Sequence, residues 1–202
     1  RGEAPAIEWF GTLAAVITEH RLPFSAFYDL LSAFSQDVTR KRYASYAEIL
    51  DYCRRSANPV GRLLLHVFDR ASEQNLQWSD AICTALQLIN FWQDVELDYT
   101  KGRVYLPQDD MERHGVTDRQ IAERRTDGNW RALIGFQIER ARALMLSGAP
   151  LGRELPGRIG LEIRATVQGG LRILEKIERA GYDVFNQRPT LKWHDWPVIM
   201  AR

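Results

Sequence analysis

Apolar residues recur along this chain at steps of three and four, and no stretch alternates as a half-buried strand does. The pattern predicts one all-α domain over residues 1–202. A first helix is expected from Ala4 to about Glu19, with Ile7, Phe10, Leu13, Ala14 and Ile17 on its apolar face. Leu22-Pro23 ends it, because proline restrains the residue before it and favours a helix start. A second helix covers Phe24 to about Val38 and carries Phe27, Leu30, Leu31 and Phe34. Ser45-x-x-Glu48 fits a capping box that opens a third. Asn58-Pro59 should break that helix, with Gly61 easing close packing just beyond. Further on, Thr117-x-x-Gln120 caps a short helix, while Trp130 to about Leu146 and Ile159 to Ala180 read as long ones. Gly181 is the expected C-cap of the last. Gly148 to Pro156 reads as a loop, and the tail from Tyr182 as short, aromatic and basic.

One stretch departs from this amphipathic rule. Ser79 is a good N-cap, and no Gly or Pro occurs from Asp80 to Lys101, which predicts a single helix roughly 33 Å long. Lys101-Gly102 ends it, and Arg103 to Pro107 should be an extended connection. Most of its faces are apolar, through Ile82, Leu86, Leu88, Ile89, Phe91, Trp92, Val95 and Leu97, as in a buried helix. Yet Gln87, Asn90, Asp94 and Asp98 follow at steps of three, four and four and form one polar stripe. Stacked carboxylates repel each other, and burying them is costly unless a cation or water meets them. Mg²⁺, which takes one or two carboxylates beside waters and substrate phosphates, suits such a pair. The plainer alternative is an amphipathic helix whose aspartates face water.

Composition narrows the field. The 202 residues suffice for one domain with a sizeable core, and a net charge of +1 gives no basic face for nucleic acid. Cys53 and Cys83 each fall inside an apparent helix, which suits a reducing cytosol better than a disulfide framework. No apolar run approaches the roughly 18–20 residues of a membrane span, and no signal peptide is visible. The chain opens on Arg1, so a preceding part is expected. His20, His66, His114 and His194 lack metal-ligand spacing, and neither a Gly-rich phosphate loop nor a nucleophile elbow occurs.

Two clusters lie near the stripe. Arg103 and Tyr105 follow it across a glycine, and a guanidinium with a phenol beside metal-binding carboxylates would complement a diphosphate. Without the stripe they would read as a surface Arg and a packed Tyr. Gln36-Asp37 and Arg42-Tyr43 form the second, although Asp37 reads equally as a helix-end residue and Tyr43 as core. Phe91 and Trp92 are most simply core, and rings of this kind also stabilise a cation in a greasy pocket.

Taken in order, these residues resemble the squalene/phytoene synthase family, the head-to-head prenyl synthases. Asn90-x-x-x-Asp94-x-x-x-Asp98 is similar to the family's second aspartate-rich motif, with Gln87 where the family has its Gln. Gly102 to Pro107 resembles the segment that follows it. Arg42-Tyr43, Tyr52-Cys53 and Pro59-Val60-Gly61 resemble the earlier RY…YC…VG pattern, and Gly181 to Phe185 with Arg188 the GYDVF…R ending. The similarity covers nearly all of the chain.

The resemblance implies helices around a deep apolar cavity. It implies Mg²⁺ on Asn90, Asp94 and Asp98, and Asp94, Asp98 and Tyr105 as catalytic residues. Gln87, Asn90, Gln93, Arg103, Tyr43 and Arg188 would bind a prenyl diphosphate substrate. Two departures stand out. Gln93 sits where enzymes condensing two prenyl diphosphates usually have Arg, and Gly170 where many members have Tyr. Phe91-Trp92-Gln93-Asp94 looks most like the bacterial hydroxysqualene synthase branch of hopanoid biosynthesis, which takes presqualene diphosphate to hydroxysqualene. Presqualene diphosphate, squalene or phytoene synthesis is the alternative, NADPH entering only for squalene. A non-catalytic scaffold of the same fold is an alternative of another class. A cytoplasmic protein, peripheral to a membrane where its long-chain products go, is expected. The family's first aspartate-rich motif is not found in Arg1 to Tyr28, so this chain by itself is expected to be nearly inactive.

Overall fold

The computed structural model describes residues 4–186 and 188–201, with side chains from Trp9 onward. Helices α1 (Ala4–Glu19) and α2 (Phe24–Thr39) are joined by a turn at Arg21, and α3 (Tyr46–Ser56) and α4 (Asn58–Val67) by a break at Ala57. The Asn58-Pro59 break and the Ser45 cap, which accepts the Glu48 N–H, both form as expected. Then come α5 (Glu73–Gln93), α6 (Val95–Thr100), α7 (Gln108–Arg113), α8 (Asp118–Ala122), α9 (Gly128–Gly148), α10 (Leu151–Glu154), α11 (Gly157–Arg179) and α12 (Trp196–Met200). No strand forms among the described residues; Arg42 and Val104 make an isolated parallel bridge. No described helix is long and apolar enough to cross a membrane.

The central helix differs from expectation at both ends. It starts at Ser72, whose hydroxyl accepts the Asn75 N–H, and Ser79 lies buried six residues inside it. Ser72 and Ser79 each precede an acidic residue, and it is Ser72-Glu73 that caps the helix. The helix also breaks at Asp94, with φ −106° and ψ 14°, before α6 resumes. Aspartate is a poor interior helix residue, and here its side chain turns outward to an arginine of the tail.

Helix α5 packs on α9 and α4, and α11 lies against α9 and α5. Leu88, Trp92, Trp130, Ile134, Ile138, Leu174 and Ile177 are fully enclosed between them. Close approach of α4 depends on Gly61, where a Cβ would stand 2.3 Å from Ser79 Oγ and 2.6 Å from Cys83 Sγ. Helix α2 buries Ala26 and Ala33, while Leu31 and Phe34 stay exposed. Its apolar residues form two stripes, and the small-residue stripe is the one that docks.

The chain after α11 is more ordered than its pattern suggests. Gly181 N–H bonds the Glu178 carbonyl and Tyr182 N–H the Ile177 carbonyl, closing a Schellman cap with both residues at positive φ. Asp183 then accepts the N–H groups of Phe185 and Asn186, and Phe185 packs 4.6 Å from the Trp130 ring. The segment expected as a loop, Gly148 to Pro156, holds α10. Beyond it, Asp195 is fully buried in a short 3-10 turn that docks the tail on α11.

Candidate active site

Two chain crossings assemble the site at the C-terminal end of α5. In the first, Lys41–Ala44 lies beside Val104–Asp109: Val104 N–H donates to the Lys41 carbonyl, Gln108 N–H to Tyr43 and Asp109 N–H to Ala44. This pairing brings the expected extended connection against the Arg42-Tyr43 cluster. Tyr105 then stacks flat on Phe91, ring centroids 3.9 Å apart and planes 7° off parallel, with Tyr43 5.7 Å away on another side. Arg103 reaches back to donate to the Asp37 carbonyl at 3.2 Å.

In the second crossing the tail folds over the α5–α6 break. Arg188 pairs with Asp94 through Nε to Oδ1 and, at 3.2 Å, NH2 to Oδ2. Asp98, one turn on, is half-buried and lines a tight crevice with Phe91, Val95, Arg103 and Tyr105. Burial, and then the charge of Asp94, push the Asp98 carboxyl above the usual carboxylate range; Lys101 and Arg103 oppose the rise. The pair thus carries an electrostatic conflict that a cation would relieve.

The other expected residues divide by burial. Asn90 is exposed and lines an open, mostly apolar groove of about 590 Å³ with Leu86, Ile89, Gly169, Leu191 and Trp196. Gln87 is half-buried one turn earlier. Gln93 also borders the groove, but it is 93% enclosed and its side-chain amide donates to the Pro189 carbonyl. Expected as a substrate contact, it is engaged with the tail. Tyr43 is wholly buried, its hydroxyl accepting from Gln36 Nε2 at 3.1 Å, so it supports Tyr105 from within the fold and does not face the groove. Burial pushes its hydroxyl up to about 12. Burial, followed by the charge of Asp37, also raises Tyr105, and Arg103 counters it.

Asp37 and Tyr52 were not among the expected site residues, although Asp37 belonged to the second polar cluster and Tyr52 to the family pattern. Tyr52 donates to Asp37 Oδ2 at 3.0 Å, while Asp37 Oδ1 is buried without a partner. Tyr52 lies 6.1 Å from both Phe91 and Tyr105, so one aromatic wall runs from α3 to α5. The two residues sit on different helices, and no short-range spacing could have linked them.

The donor set is all oxygen: two carboxylates and the Asn90 amide, as hard divalent cations prefer. Among the described residues no three His, Cys, Asp or Glu side chains converge as a metal group. Two carboxylates completed by water and phosphate oxygens is a set Mg²⁺ accepts, so the residues fit it.

The helical layers have the all-α isoprenoid synthase fold. The crystal structure of squalene synthase HpnC from Alicyclobacillus acidocaldarius superposes with a TM-score of 0.80 at 37% identity, over 83% of this chain and 64% of that one. A model of the family described as squalene/phytoene synthase matches residues 1–196, and the chain belongs to that family. It is 33% identical over 199 residues to a phytoene synthase from Thermus thermophilus, covering 98% of this chain and 68% of the relative. It is 35% identical over 183 residues to a hydroxysqualene synthase from Rhodopseudomonas palustris, covering 89% and 61%. The chain therefore spans about two thirds of the length of these relatives.

Proposed function

We propose that the protein, in its natural length, converts presqualene diphosphate to hydroxysqualene and releases diphosphate with the help of Mg²⁺. One observation carries this: two carboxylates, two guanidiniums and a phenol meet at one end of α5, beside an open apolar groove. Asp94, Asp98 and Asn90 would hold Mg²⁺, which supplies Lewis-acid neutralisation of the charge on the leaving diphosphate. Arg188 and Arg103 add fork-shaped N–H donors suited to phosphate oxygens. The raised Tyr105 hydroxyl stays protonated at neutral pH and donates to a diphosphate oxygen. Phe91 and Tyr43 fix its ring. The groove would take the prenyl chain through Leu86, Ile89 and Leu191, and the cyclopropylcarbinyl cation left when diphosphate departs would rearrange against this apolar wall. A single water then adds to the rearranged cation and gives up one proton to the released diphosphate, leaving the alcohol.

The likeness to a hydroxysqualene synthase supports this branch. An equally near likeness to a phytoene synthase supports a second reading, in which the same site condenses two prenyl diphosphates. Incubating the natural-length protein with Mg²⁺ and either substrate separates them. Hydroxysqualene from presqualene diphosphate, with farnesyl diphosphate left unreacted, is the expected result. Turnover of farnesyl diphosphate alone overturns the branch and favours condensation.

A further inference from the structure

The groups that hold Arg188 in place are themselves outside the diphosphate site. Three side chains of the helical body, Gln93, Lys176 and Arg172, tie the segment that follows it to α5 and α11. Pro189, the next residue, is buried, and its carbonyl accepts the side-chain amide of Gln93 from the last turn of α5. The Thr190 carbonyl accepts Lys176 Nζ at 2.7 Å. Asp195, fully enclosed, gathers Lys176 Nζ at 2.5 Å, Arg172 Nε at 2.9 Å and the Lys192 N–H at 2.8 Å. Between Gln93 on one side and Asp195 on the other, the backbone of residues 188–195 has little freedom. The Arg188 side chain, by contrast, is 46% exposed, with its fork on the Asp94 carboxylate.

We infer that Gln93 and Asp195 are positioning residues: they pin this segment across the end of α5 so that Arg188 sits over Asp94, where a diphosphate would arrive. Neither touches the ligand. Asp94 lies next to Gln93 in the chain, so one turn of α5 sets both the carboxylate and the backbone that carries its counter-ion. A guanidinium binds carboxylate and phosphate with the same fork. Arg188 therefore neutralises Asp94 while the site is empty and exchanges it for diphosphate oxygens on binding, with its backbone already in place. Gln93 is short of the reach and charge of an arginine, and its amide is spent on Pro189, which makes it a part of the frame.

The inference rests on the diphosphate site proposed above, and a double-mutant cycle tests it apart from that proposal. Pyrophosphate is titrated into the 202-residue chain with Mg²⁺ and followed by ³¹P NMR, which reads weak binding. Arg188→Gln should weaken binding about tenfold or more, and Gln93→Leu about fivefold, as for one lost hydrogen bond. In the Arg188→Gln background, Gln93→Leu should change binding by less than about twofold, because its effect runs through Arg188. Lys176→Met, which removes one donor from Asp195 and leaves the rest of that cluster, should behave as Gln93→Leu does. Equal effects of Gln93→Leu in both backgrounds, or none in either, overturn the inference while the site stands. Wild-type chain that binds no Mg²⁺-pyrophosphate overturns the site and the inference together.

Discussion

In the proposed function, Asp98 is the residue at which metal binding works against the stability of the metal-free fold. Its carboxyl is raised in the fold by burial and by Asp94, so the folded chain binds that proton more readily than the unfolded chain. Stability therefore falls as pH rises from the ordinary carboxylate value to the raised one, and the whole cost is present at neutral pH. Asp98→Asn should raise the urea midpoint of the metal-free chain at pH 7 and leave it nearly unchanged below pH 4 or so. Mg²⁺ should stabilise the wild type and not the variant. Tyr105→Phe keeps the stack on Phe91, so it should lower activity with little change in unfolding midpoint, whereas Tyr105→Ala should lower both. Residues of the stripe were legible because carboxylates on a mostly apolar helix demand a partner. The partners were less so. Asp37 and Tyr52 touch only after α2, α3 and α5 are assembled, and Gln93 turned to Pro189 because the tail crosses there.

At the scale of elements, periodicity located the long helices and erred where two signals compete. Ser72 and Ser79 both precede acidic residues, and the caps differ in burial, which the sequence does not state. Ser72→Ala should cost about 1 kcal/mol, as lost N-caps do, measured by chemical unfolding. Gly61 was legible as a close-packing residue. Gly61→Ala drives a Cβ into Ser79 and Cys83, and should destabilise the chain by about 1–3 kcal/mol. Gly170 has a similar logic on α11: a Cβ there would stand 2.5 Å from Met145 Cε and 3.3 Å from Ile89 Cδ1. Any larger side chain there must first displace the Met145 methyl group. The break at Asp94 was not legible, since it depends on Arg188, ninety-four residues on.

For the whole molecule, the tail closes the fold and also completes the site. Trp130 donates to the Tyr182 carbonyl, and Asp195 ties the last turn to α11. The Asp195 carboxyl is held well below the usual range, first by the Lys176 hydrogen bond and then by the Lys192 N–H. Its contribution is thus complete above the ordinary carboxylate value and is lost only as pH falls well below it, so the tail should stay docked at pH 4. Asp195→Asn leaves Lys176 short of its counter-charge, while Arg172 keeps Glu175, and should lower the thermal midpoint.

The central claim is that Asp94 and Asp98 hold the cation that carries the diphosphate away. Mg²⁺-dependent release of diphosphate from presqualene diphosphate, compared between the natural-length protein and its Asp94→Asn variant, tests it most directly. The account predicts a loss of about 100-fold or more, the scale of removing a group that meets charge in the transition state. Activity within a few fold of wild type would contradict it.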